Sequence, residues 1–198
     1  MRREDLAADP ATVAVRLLGA RLVAGQVVAR VVEVEAYGGS DDAASHAVRG
    51  PRVANRSMFG PPGHLYVYVS YGLHDCANVV CRPEGEGAAV LVRAADVEQG
   101  LELVTTRRGR AVPHGRLDGP GKLCQGLGID RRHDGADLLD PGGDVRLEDG
   151  GPEPGEVLVV GPRVGLTKEV ERPWRFRLVC GPKRGVAPAV GGVDRRLR

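Results

Sequence analysis

Residues 32–94 read VEVEAYGGSDDAASHAVRGPRVANRSMFGPPGHLYVYVSYGLHDCANVVCRPEGEGAAVLVRA, and this stretch decides the fold. Its first residues complete a run at 27–35 rich in β-branched side chains, which predicts a strand. Side chains alternate along a strand, so Glu33 and Glu35 share one face, with Val31 below them. Residues 64–71 alternate again: Tyr66, Tyr68 and Ser70 lie on one face, and Leu65, Val67, Val69 and Tyr71 on the other. Two further strands are expected at 77–81 and 88–93, joined by a hairpin loop, Pro83-Glu84-Gly85-Glu86-Gly87. A series of strands with short connections makes a mixed α+β fold on a curved, mostly antiparallel sheet.

The flanks add helices and later strands. Asp9-Pro10 pairs an N-capping oxygen with a proline at the first helical position, so a helix should run to about Leu18 and stop at Gly19. Residues 20–26 read as a strand and turn. Helices are expected at 97–107 and 122–127, the second preceded by Gly119-Pro120-Gly121, and strands at 145–147, 157–161 and 176–180. Residues 38–63 form a long irregular segment, and a loop of that length inside a compact domain is usually functional. Neither an internal repeat nor a composition break divides the chain. One domain over 1–198 is expected, with a basic tail at about 182–198.

Composition narrows the function. The 198 residues are 42% hydrophobic and 27% charged, ordinary for a globular protein long enough to bury a core. With 28 basic and 26 acidic residues the net charge is only +2, so any contact with nucleic acid has to come from local patches. Two such groups stand out: Arg107, Arg108, Arg110, His114 and Arg116, then Lys183, Arg184, Arg195, Arg196 and Arg198. Either can equally be solvated surface. No run approaches the ~20 apolar residues of a membrane span, and the first residues lack a secretory apolar core. Cys76, Cys81, Cys124 and Cys180 match no zinc spacing and read as reduced thiols. A cytoplasmic protein is expected, with no membrane contact, metal or other cofactor.

Few residues suggest chemistry. Glu35 ends a valine-rich strand beside Tyr37, a place suited to a general acid or base; the plainer alternative is an ion-paired carboxylate. Arg93 ends another apolar strand and needs an anionic partner if buried; Glu35 is the candidate. His46 shares a loop with Asp41 and Asp42 and is either a ligand contact or a polar loop residue. Tyr66, Tyr68 and Tyr71 fall within six positions in a chain with four tyrosines, which suggests an aromatic platform for a flat ligand. Asn78 can supply amide hydrogen bonds beside it.

Several strings then match one family in order: VEVEAY at 32–37, His46 nine residues after Tyr37, NRSMFGPPGHLYVYVSYGLHDCANVV at 55–80, AAVLVRA at 88–94, GPGKLCQGLGI at 119–129 and RVGLTKEVERPWRFRL at 163–178. The chain resembles the alkyladenine (3-methyladenine or methylpurine) DNA glycosylases that lack a helix-hairpin-helix. That resemblance implies a single domain whose β-hairpin enters the minor groove of double-stranded DNA. It implies flipping of a damaged purine and hydrolysis of its N-glycosidic bond, leaving an abasic site. By position, Glu35 resembles the base that activates water and Arg93 the residue that helps hold it. Tyr37, His46 and Tyr68 resemble the walls of the base pocket. Asn78 resembles the residue that crowds the exocyclic amine of normal guanine, and Tyr71 the wedge that fills the vacated stack. His74 stands where many relatives carry an aromatic residue.

These roles are physically coherent. A base inside a duplex has to leave the stack before its glycosidic bond can be reached. A carboxylate can both stabilise an oxocarbenium-like sugar and deprotonate water. With no lysine beside Glu35 to form an imine, a monofunctional, monomeric hydrolase without lyase activity is expected. The competing readings are a non-catalytic nucleic-acid-binding module on the same fold, which needs no carboxylate facing its ligand, and a hydrolase holding a metal on the His and Cys residues.

Overall fold

Strand β2 (Val27–Tyr37) organises the sheet, because it has different neighbours along its length. Over its whole course it pairs with β5 (Ala88–Gln99). On the other side its first half pairs with β1 (Arg21–Ala24), whereas Glu33–Glu35 pair with β9 (Arg175–Cys180). The computed structural model describes residues 1–181, and its sheet runs β3 (Leu65–Ser70), β4 (His74–Cys81), β5, β2, β1, β7 (Val145–Glu148). Short β6 (Arg116–Asp118) adds to β5, and β8 (Glu156–Gly161) adds to β9. Every pairing is antiparallel. The fold is thus the expected α+β domain.

Alternation sorts the two faces. Leu65 and Val67 of β3, Ala77, Val79 and Cys81 of β4, Ala88, Val90 and Val92 of β5, and Val34 and Ala36 of β2 enter the main core. Helices α2 (Pro10–Leu17) and α4 (Pro120–Leu127) add Val13, Leu17, Leu123 and Leu127 to that core. Each fully buried aliphatic side chain of this kind contributes about 1.5–3 kcal/mol. The opposite face is polar and aromatic. There Tyr66 lies opposite Asn78, Asn78 opposite Leu91, and Leu91 opposite Glu35, so one row across four strands carries three residues singled out in the sequence.

Most elements fall where the sequence puts them. Asp9 caps α2 with its side chain on the Ala11 amide, 2.9 Å away, and α4 begins two residues earlier than expected, on Pro120. The helix expected from residue 97 is wrong at its start. Residues 97–99 complete β5, paired with Val28 and Ala29, and only Leu101–Arg108 (α3) is helical. Gly100 makes the break at φ +79°, with the Gln26 carbonyl too close for any Cβ. Pairing along a long strand outweighs the weak helical preference of Val97-Glu98-Gln99. The single turn α1 (Arg3–Leu6) and β6 have no sequence counterpart. The second basic cluster and the tail at about 182–198 lie outside the described residues.

Candidate active site

Glu35 is fully buried, yet its carboxylate is well supplied with donors. The Tyr37 hydroxyl donates to Oε2 at 2.9 Å, Arg93 Nη1 to the same oxygen at 3.3 Å, and the Val164 amide to Oε1 at 2.8 Å. Burying a carboxylate is costly unless such partners replace its water. Arg93 reaches it through a bulge. Glu33 pairs with Ala94 and Val34 with Val92, so Arg93 lies between the paired positions and its side chain is re-aimed. Glu35, the partner expected for Arg93, is not its nearest: the shorter contact is to Glu33, 2.9 Å from Nε to Oε1. Glu33 also accepts from Arg175 Nε at 2.8 Å, because β9 lies alongside β2 at this point. Burial opposes the charge on Arg93, but Glu35 and Glu33 outweigh it and raise its pKa above the ordinary arginine value.

Tyr37, which donates to Glu35, also lines a cavity of about 100 Å³ with Ala44, His46, Met58, Tyr66, Tyr68, Asn78 and Leu166; Glu35 and Arg93 lie behind this wall and do not line it. Four of the expected substrate-binding residues, Tyr37, His46, Tyr68 and Asn78, therefore converge. Asn78 donates its amide to the carbonyls of Tyr66 and Cys76, at 3.0 and 3.1 Å, which fixes the orientation of the group. The His46 ring stands edge-on to Tyr68, with centroids 4.5 Å apart, and its Nδ1 pairs with the Tyr66 hydroxyl at 2.9 Å. Burial lowers the His46 pKa, so the ring is neutral near pH 7. Burial also pushes the Tyr66 hydroxyl up to about 12 and raises those of Tyr37 and Tyr68, so all three remain phenols. Walls of neutral aromatic rings with a few oriented polar atoms suit a flat heteroaromatic ligand. His46, Tyr66 and Tyr68 also border a second cleft of about 350 Å³, flanked by Arg52 and Arg131.

The long loop after Tyr37 is ordered rather than slack. His46–Arg49 and Val53–Phe59 are 3-10 turns. Asn55 ties them together by donating to the carbonyls of His46 and Gly50 and accepting from the Arg52 amide. Asp42, in sequence only a loop neighbour of His46, is fully buried and paired with Arg163 through two contacts of 2.6 and 2.9 Å. Burial acts against its charge, but the Arg163 fork and the Gly38 amide hold its carboxyl below the ordinary range. Losing one partner of such a pair typically costs about 3–5 kcal/mol. Arg163, Val164 and Leu166 have no periodic signal that marks them. They belong to a connection between strands, and only folding brings them to β2.

Tyr71 is not part of a strand face. It follows the last residue of β3, 92% exposed, at φ +52°, with Gly72 next at φ +70° and Leu73 also exposed. A left-handed backbone is unusual for a non-glycine residue and is tolerated mainly where the surrounding turn imposes it. The β3–β4 hairpin therefore presents an aromatic ring and a leucine at its tip. The first basic cluster is largely structural: Arg107 donates to the carbonyls of Gly126 and Leu127 at the end of α4, Arg108 pairs with Gln125, and Arg116 with Asp96. Cys76, Cys81 and Cys124 are buried free thiols, and Cys180 is an exposed one.

The family profile described as methylpurine-DNA glycosylase (MPG) matches residues 4–180. The chain belongs to the methylpurine-DNA glycosylase family. Proteins of Mycobacterium bovis BCG and Mycobacterium tuberculosis, each named "Putative 3-methyladenine DNA glycosylase", are 48% identical to it over 98% of this chain and all of their own length. One of Nocardia farcinica with the same name is 49% identical over 90% of this chain and 87% of its own. As a methylpurine-DNA glycosylase family member, the protein is a DNA-repair enzyme directed at alkylated purines. Among the described residues no helix is long and apolar enough to cross a membrane, and no group of three or more His, Cys, Asp or Glu is placed to hold a metal ion.

Proposed function

We propose that this enzyme flips a damaged purine out of duplex DNA and hydrolyses its N-glycosidic bond with a water that Glu35 deprotonates. The observation that carries this reading is the fully buried Glu35 carboxylate, held by Tyr37, Arg93 and Val164, with Tyr37 itself a wall of the aromatic cavity. Tyr37, Tyr68 and His46 form the walls that hold the flipped base, and Asn78 crowds the exocyclic amine of undamaged guanine. Arg93 helps hold the water, and the negative charge of Glu35 stabilises the oxocarbenium-like sugar as the base departs. Tyr71, at the hairpin tip, fills the gap in the stack. The proton leaves water for Glu35, the oxygen joins C1′, and the C1′–N bond electrons leave with the base. An abasic site remains.

Among the described residues no lysine donates to Glu35, which favours direct hydrolysis over an imine intermediate and leaves the strand uncut. The enzyme acts as a cytoplasmic monomer without a cofactor. A pure binding module on this fold has no use for a buried carboxylate beside its ligand. Chromatography of bases released from duplexes carrying different alkylated or deaminated purines tests the reading. Release of free damaged base with an intact strand is expected; binding without release supports the module instead.

A further inference from the structure

Neither Asp42 nor Arg163 lines the cavity, yet three parts of the site depend on their ion pair. Asp42 also accepts from the amides of Gly38 and Ala44, at 2.9 and 3.2 Å, and so shapes the turn between Tyr37 and His46. Arg163 donates to the Ala36 carbonyl at 2.9 Å, which binds the connection between β8 and β9 to the end of β2. The next residue, Val164, sends its amide to Glu35, and Leu166 closes one side of the cavity. The Arg163 guanidinium also lies 4.7 Å from the centre of the Tyr37 ring and 5.5 Å from that of Trp174.

We propose that Asp42 and Arg163 are positioning residues for base excision: their ion pair seats the strap at residues 162–166, so that Val164 orients Glu35 and Leu166 and Tyr37 hold the base. The proposal rests on the hydrolytic reading above. The Arg163 guanidinium lies against the Tyr37 ring, with both terminal nitrogens committed to Asp42 and the Ala36 carbonyl. It acts through the angle and support of other groups. Misplacing reacting groups by about 1 Å costs on the order of 100-fold in rate. Loosening the strap should therefore slow excision far more than it weakens DNA binding.

The test compares Arg163→Met, Asp42→Asn and the double variant, which removes both charges and so avoids leaving one buried without a partner. Val13→Ala, a core truncation in α2, supplies a control for lost stability alone. Single-turnover release of a neutral damaged purine should fall by roughly 30–100-fold in each single variant. Affinity for a duplex with an abasic-site analogue should change by less than about 3-fold. The double variant should be no slower than either single one, because both substitutions break the same contact. Trp174 is the one tryptophan of the chain and packs against Arg163, so acrylamide quenching reports on how Arg163 is seated, and it should rise in Asp42→Asn but not in Val13→Ala. Rates within about 3-fold of wild type in the folded variants, or losses matched by Val13→Ala, overturn the proposal. If wild type itself releases no base from any duplex, the hydrolytic reading falls, and quenching still decides whether the pair holds the strap.

Discussion

Removing the ring of Tyr71 should damage catalysis without damaging the fold. The side chain is 92% exposed, so truncation to alanine exposes almost no buried area. The backbone at φ +52° carries a left-handed penalty of about 1–2 kcal/mol that Tyr71→Gly relieves, against about 0.4–1 kcal/mol of extra freedom gained by the unfolded chain. Stability should therefore be level in Tyr71→Ala and level or slightly higher in Tyr71→Gly. Function is a different matter. An inserted ring contributes about 1–3 kcal/mol of stacking, equivalent to roughly 5- to 150-fold in the population of the flipped state. A lesion in a mismatch leaves the helix more easily, so it depends less on the wedge. Single-turnover rates on a well-paired lesion should thus fall several-fold more than rates on the same lesion mismatched. Equal losses on the two duplexes would remove Tyr71 from the flipping step. A melting temperature lower by more than about 5 °C would show instead that the ring supports the fold.

Two further outcomes follow from the site. His46 has its native pKa lowered below the ordinary 6.5 by burial, so the unfolded chain takes up a proton first as pH falls. The stabilisation is present above about pH 6.5 and is lost as pH drops toward the lower native value. His46→Gln should flatten that part of the curve of denaturation midpoint against pH, and parallel curves for the two proteins would contradict the assignment. Base release should also persist in EDTA, since the proposed steps run on Glu35, Arg93 and water alone; loss of activity that zinc restores would disprove a metal-free reaction.

Much of this site was legible because it lies on strands. Alternation places Glu35, Tyr66 and Asn78 on one face, and the register of four strands then aligns them in a single row. The family strings supplied roles for those positions that spacing alone left open. What alternation cannot show is contact between segments far apart in the chain. Arg163 reaches Asp42 across 121 positions, and the Val164 amide reaches Glu35 across 129, both from a connection with no period. Asp42 looks like any loop aspartate until that partner is known. The Arg93 bulge is hidden for a related reason: it is a property of pairing between β2 and β5, and neither strand reveals it alone. Alternation puts Tyr71 on a strand face, but the chain has already entered a left-handed turn there.

The central claim is that Glu35 activates the water, and one comparison tests it most directly. Glu35→Gln keeps the size of the side chain but cannot take a proton from water. Single-turnover excision of a neutral damaged purine should be used, because a cationic adduct leaves more readily by itself. The rate should fall by about 10³-fold, within the usual 10²–10⁴ for a general base, while binding to an abasic-site analogue stays within a few-fold. A variant that still excises the neutral base at a tenth of the wild-type rate or faster would contradict the account.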